Sequence, residues 1–125
     1  MADQSLRDDV LIRGLDDWVM LVEVADLAGH RSHGPSDEAV VGRTCDAIAD
    51  LLENGLVEVG DVTEAGFQPW STELTRAVVD RIRTEWLSLG RGLNMGDVCW
   101  ISNTPAGDER ARSILATRET QPSSD

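Results

Sequence analysis

The sequence has no tyrosine and no lysine, one phenylalanine, two cysteines and two histidines. Each shortage narrows what the chain can be. Two cysteines cannot build the disulfide framework of a small secreted domain, and without a secretion signal they read as reduced thiols. The two histidines, His30 and His33, have Asp26 and Asp37 nearby but no cysteine or third histidine close enough to complete a metal site. No apolar run approaches bilayer length, and the start is not basic then apolar, so the expectation is a soluble cytoplasmic protein with no membrane partner. No Ser–His–acid set, paired-carboxylate motif or cofactor box stands out. No catalytic, cofactor-binding or metal-binding residue is therefore assigned, and the chain is read as non-enzymatic.

What is present is acid. The 125 residues carry a formal net charge of −12, and all eleven basic residues are arginine. Residues 1–65 hold four arginines against fifteen acids; residues 66–125 hold seven against eight. Nucleic-acid binders gain affinity by neutralising phosphates with cations. The N-terminal half would repel a duplex at long range, whereas an acidic surface favours basic partners or plain solubility.

The apolar pattern predicts a mostly helical chain of one domain. Ser5 followed by Asp8 resembles a capping box and starts a short helix through Arg13, with Gly14 as its stop. "DWVMLVEVADLA" (17–28) suits a second helix. "HRSHGPS" (30–36) is a loop by its Gly, Pro and Ser content. The strongest helix runs from about Asp37 to Asn54, with Ser36 as cap and Asn54-Gly55 as stop. Its periodicity puts Val41, Thr44, Cys45, Ile48, Leu51 and Leu52 inside, and Gly42, Arg43, Asp46, Asp50 and Glu53 outside. "LVEV" (56–59) and "VCWI" (98–101) read as strands.

Between those strands lies an insertion at about 66–96. "GFQPW" is loop-like. Ser71 can cap a helix to about Leu89, with Leu74, Val78, Ile82, Trp86 and Leu89 as its apolar stripe. "GRGLNMGD" is a glycine-rich return loop. Its glycines follow a helix rather than a strand and open no helix, so the context of a phosphate-binding loop is missing. Thr104 and Pro105 suit the Ncap and N1 positions of a final helix. The domain is placed at 1–117, with 118–125 as a polar, flexible tail.

Three stretches carry a family resemblance. "VEVADLAG", "CDAIADLLENGLVEVGD" and "WISNTPAGDERAR" resemble, in order, the second helix, the recognition helix with first wing strand, and the second wing strand with last helix of winged helix-turn-helix regulators of the MarR and PadR type. The resemblance covers about residues 6–62 and 97–117. It implies an α+β, mostly helical, winged-helix-like fold with a small antiparallel β-hairpin, here with an extra helix inserted between the wing strands. It also implies DNA binding and, as in many members, a homodimer.

The groove-reading face departs from the family. Recognition helices usually offer Arg, Lys, Asn, Gln, Ser or Thr to DNA. Here Arg43 stands among Asp46, Asp50 and Glu53, and those carboxylates would sit close to phosphates. The first expectation is thus an acidic winged-helix-like module that binds another protein, toward a basic partner; the alternative is a DNA-binding transcriptional regulator. The candidate contact residues are Arg43, Asp46, Asp50 and Glu53, together with Arg76 and Arg83 of the insertion, where residues 71–92 hold four arginines against three acids. Phe67 and Trp70 are candidate aromatic anchors, either for the insertion onto the body or for a partner.

Overall fold

The computed structural model describes residues 4–29, 38–70 and 74–120. The elements are α1 (Gln4–Arg13), β1 (Val19–Met20), α2 (Leu21–Leu27), α3 (Glu38–Glu53), β2 (Val57–Thr63), β3 (Gly66–Pro69), α4 (Thr75–Ser88), β4 (Trp100–Asn103) and α5 (Pro105–Thr120). The fold is α+β and mostly helical. Its strands form one antiparallel sheet in the order β1-β4-β2-β3.

The helices follow their apolar faces. α3 buries Val40, Val41, Thr44, Cys45, Ala47, Ile48 and Leu51, a broad arc that makes it the centre of the core. Its end is a Schellman motif: Gly55 takes a φ of 69°, its N–H donates to Leu52 O, and the Leu56 N–H donates to Leu51 O. α4 buries a narrower stripe, Val78, Ile82 and Trp86, and packs on α3. Leu74, expected in that stripe, stands at the N-cap and is 80% exposed. Ser71, His30, His33, Ser36 and Asp37 lie outside the described residues, and so do the roles expected of them.

Several expected boundaries are corrected. Residues 17–20 are not the start of the second helix. Val19 and Met20 pair with Ile101 and Trp100 as a short strand. Glu23 decides the boundary, because its carboxylate accepts the Met20 N–H at 2.8 Å and so caps α2 at residue 20. "GFQPW" is not a loop. Residues 66–69 pair with β2, from Thr63↔Gly66 to Gly60↔Pro69, and Pro69 is accommodated because β3 is an edge strand. The strand expected at 98–101 is shifted to 100–103, because Val98 has a φ of 69° in a tight turn where the Cys99 N–H donates to Asp97 O. Gln4 and Ser5 both lie within α1, and α5 extends to Thr120, past residue 117.

The extra helix does lie between the two strands that pair across the expected wing, since Val57↔Asn103 and Val59↔Ile101 hold β2 to β4. The insertion carries β3 as well as α4, so the sheet has four strands rather than a hairpin.

The "NTPAG" stretch closes the fold. The Asn103 side-chain amide donates to Leu11 O at 2.8 Å and to Asp108 Oδ1 at 3.1 Å. The Thr104 hydroxyl donates to Gly55 O at 2.7 Å and accepts the Gly107 N–H at 3.1 Å, the N-cap bond expected of it. The Thr104 N–H donates to Leu56 O at 3.0 Å. The ends of α1, α3 and β4 thus meet the start of α5. Gly107 is required here, because a Cβ would run into the Leu56 carbonyl.

Candidate functional site

The outer face of α3 keeps the expected set Arg43, Asp46, Asp50 and Glu53 together, but not as four equivalent groups. Arg43 turns back on the fold: its Nε and Nη2 donate to Ala28 O at 3.0 and 2.7 Å. Ala28 is the C-cap of α2, where a cation satisfies an orphan carbonyl and opposes the negative helix end. Asp50 is ion-paired with Arg7 of α1, both partly buried. Asp46 and Glu53 remain, exposed, with no ion pair or side-chain hydrogen bond among the described residues.

The same division runs through α4. Two buried thiols lie near it. Cys45 on α3 lies near Arg83 and Asp80 of α4 and near Asp46; burial is the main cause that raises its pKa, which the arginine opposes and the acids reinforce. Cys99, just before β4, is pushed far above the usual thiol range, first by burial, then by Glu85, Asp61 and Cys45, with Arg81 opposing. Arg81 and Glu85 lie on the Trp70 side of α4, and Arg83 and Asp80 are near enough to Cys45 of α3 to act on its thiol.

Arg81 on the sheet side is occupied. Its Nε donates to Glu85 at 2.7 Å, and its guanidinium carbon lies 3.6 Å from the centre of the Trp70 ring. Trp70 in turn donates from Nε1 to Asp61 at 3.1 Å, and its backbone N–H donates to Val59 O. Phe67 lies against Trp18, with ring centres 6.2 Å apart. The two candidate anchors thus contact the body of the domain, both half-buried. Arg83 and Arg76 are exposed and make no ion pair among the described residues.

Among the described residues no group of three or more His, Cys, Asp or Glu is placed to hold a metal ion. No described helix is long and apolar enough to cross a membrane. An open groove of about 380 Å³ between α1 and α5 is bordered by Asp8, Arg110 and Arg118. Arg118 pairs with Asp9 at 3.5 Å, so the groove presents offset rather than convergent charge. The return loop after α4 is held by Arg91 and Asp97, 2.7 Å apart, with the Asn94 N–H also on Asp97. Arg91 first, then that N–H, holds the Asp97 carboxyl below the ordinary carboxylate range.

No protein-family model, curated protein or solved structure matches this chain. Sequence periodicity placed Arg43, Asp46, Asp50 and Glu53 on one face of α3, away from its buried arc. It missed that Arg43 and Asp50 serve the fold, because their partners, Ala28 and Arg7, are 15 and 43 residues away.

Proposed function

We propose that this chain is a non-enzymatic, winged-helix-like module that works by binding another protein, with the outer row of α3 as its acidic contact. The observation that carries this reading is the fate of Arg43. It is the only cation on that row, and it is spent on the α2 carbonyl. The free charges left on the row are Asp46 and Glu53. The neighbouring β2–β3 hairpin adds Glu58, Asp61 and Glu64 and has no basic residue. Such a surface disfavours phosphates and favours a basic protein surface. A soluble, cytoplasmic setting goes with this reading.

One observation favours a second reading, a DNA-binding regulator. The order α2, α3, β2, β4, α5 follows the order the family resemblance implies: second helix, recognition helix, first wing strand, second wing strand, last helix. The two readings separate in one experiment. Immobilised protein and its Asp46→Arg, Glu53→Arg double variant are compared for proteins retained from cell extract, and both are titrated with duplex DNA at low salt. The expected result is retention lost in the variant and no duplex binding by the parent chain. Tight, sequence-preferring duplex binding that falls steeply with salt and is lost in Arg43→Ala would replace the first reading by the second.

A further inference from the structure

The sheet has a face turned away from the core. Along β1, β4 and β2 the register sets Val19, Ile101 and Val59 side by side, all buried, so this row faces inward. Side chains alternate along a strand. The next row, Met20, Trp100, Gly60 and Pro69, therefore lies on the outer face, and so do Glu58 and the paired Val62 and Phe67. Trp18, one residue before Val19, joins them. It is 38% exposed, its ring centre is 6.2 Å from that of Phe67, and a Cβ on Gly66 would lie 4.0 Å from its Cη2. Trp100 is bordered by the return loop, where a Cβ on Gly96 would lie 3.8 Å from its Cζ2; the neighbouring Met95 is 79% exposed. In a chain this poor in aromatics, Trp18, Phe67 and Trp100 share one face.

The charge around that face has one sign. Residues 14–20, 55–70 and 98–104, which carry every strand among the described residues, hold Asp16, Asp17, Glu58, Asp61 and Glu64 and no arginine. Asp61 alternates with the outer row and accepts the Trp70 indole N–H. Asp16, Asp17, Glu58 and Glu64 are exposed and make no ion pair among the described residues. Arg13 and Arg91, which precede two of these stretches, are taken up by Glu23 and Asp97.

Arginine is the side chain that answers both features, because its guanidinium stacks on an aromatic ring and forks to carboxylates. The molecule makes this contact within itself, where Arg81 lies 3.6 Å from the centre of the Trp70 ring. Trp18 has no cation over it among the described residues. We infer that the outer face of the sheet seats an arginine-bearing segment of a basic partner protein, one guanidinium lying over Trp18 beside Phe67 and neighbouring positive charges meeting Asp17, Glu58 and Glu64. The inference rests on the reading that the partner is basic. It adds what the acidic row of α3 does not supply, an aromatic surface that selects arginine over lysine rather than positive charge in general.

The probes are an arginine–glycine repeat peptide and the same peptide with lysine in place of arginine. Each carries a fluorescent label and is titrated by anisotropy, at physiological salt, with the parent chain and three variants. These are Trp18→Ala, Glu58→Arg with Glu64→Arg, and Asp46→Arg with Glu53→Arg. The parent chain should prefer the arginine peptide about two- to fivefold, the size of one cation–π contact at an exposed site. Trp18→Ala should abolish that preference. The Glu58, Glu64 variant should bind both peptides about fivefold more weakly or worse and keep the preference. The Asp46, Glu53 variant should keep the preference too. Circular dichroism checks folding, and the indole N–H signals of the parent chain in NMR give a readout that needs no variant. The arginine peptide should shift the Trp18 signal and leave that of the buried Trp86 in place. Equal affinity for the two peptides, or an arginine preference that survives in Trp18→Ala, would overturn the inference. So would failure of both peptides to bind, which leaves the row of α3 to the capture experiment. Peptide binding as expected, with capture unchanged in the Asp46, Glu53 variant, would keep the sheet face and remove the row of α3.

Discussion

On the sheet-facing flank of α4, Arg81 lies over Trp70 and pairs with Glu85. On the α3-facing flank, two residues further along the same helix, Arg83 stands exposed with no ion pair among the described residues. Residue type, helix and sequence neighbourhood are nearly the same. What differs is the element each side chain meets. The sheet flank offers an aromatic face and a carboxylate one turn away, and there the arginine attaches the insertion to the body. The other flank offers no ion-pair partner among the described residues, and there the arginine stays exposed. Two buried thiols, Cys45 on α3 and Cys99 just before β4, also lie near α4, and their reactivity reports on its packing.

The largest expected effect removes what both flanks share. Trp86 is 2% exposed and lies in the stripe that holds α4 down. Trp86→Ala should cost about 3–5 kcal/mol, from lost transfer energy plus the cavity left behind. Denaturant unfolding gives the energy. Thiol labelling under native conditions should then show both cysteines reacting, whereas neither reacts in the parent chain. Labelling of neither would mean that α4 stays packed without Trp86.

The thiols sharpen the comparison through pH as well. The chain has no lysine and no tyrosine, so the two cysteines are its only side chains whose ordinary pKa lies between about 8 and 12. Both are raised by burial, Cys99 more strongly than Cys45. Below the unfolded thiol value of 9.0 both states keep their protons, and stability does not depend on these groups. Above it the unfolded chain releases its thiol protons while the folded chain retains them, so the unfolded state binds fewer protons and stability falls as pH rises. Unfolding free energy measured from pH 8 upward should therefore decline above about pH 9. Cys99→Ala should flatten the decline more than Cys45→Ala, whatever either does to stability at pH 8. A slope unchanged by both substitutions would assign the alkaline sensitivity to another group.

How much of this was legible follows from the range of each interaction. α3 could be read because sixteen residues repeat one periodicity and end on Asn-Gly, a local signal. Thr104 could be read as an N-cap for the same reason. β1 is two residues long, too short to show alternation, and its residues also fit a helical apolar pattern. β3 was hidden by Gly66 and Pro69, which mark a loop in sequence yet are tolerated on an edge strand. At the site, periodicity placed Asp46 and Glu53 outward, but the engagement of Arg43 with Ala28 and of Asp50 with Arg7 depends on tertiary contact. The same limit applies to Arg81 and Arg83. Both belong to one R-x-R, and only the packing of α4 across α3 and the sheet tells them apart.

That pair supplies the smallest and most direct test of the comparison. Arg81→Ala removes a cation–π contact worth about 0.5–1 kcal/mol at an exposed site and an i,i+4 ion pair worth about 0.3–0.5 kcal/mol, so the expected loss is about 1 kcal/mol. Arg83→Ala removes no contact seen among the described residues and should stay within about 0.5 kcal/mol of the parent chain. The two variants have the same charge, so long-range electrostatics cancel in the difference between them. Trp70 gives a second readout, because its emission should change in Arg81→Ala and not in Arg83→Ala. If the stability losses are equal, Arg83 is held within the fold after all.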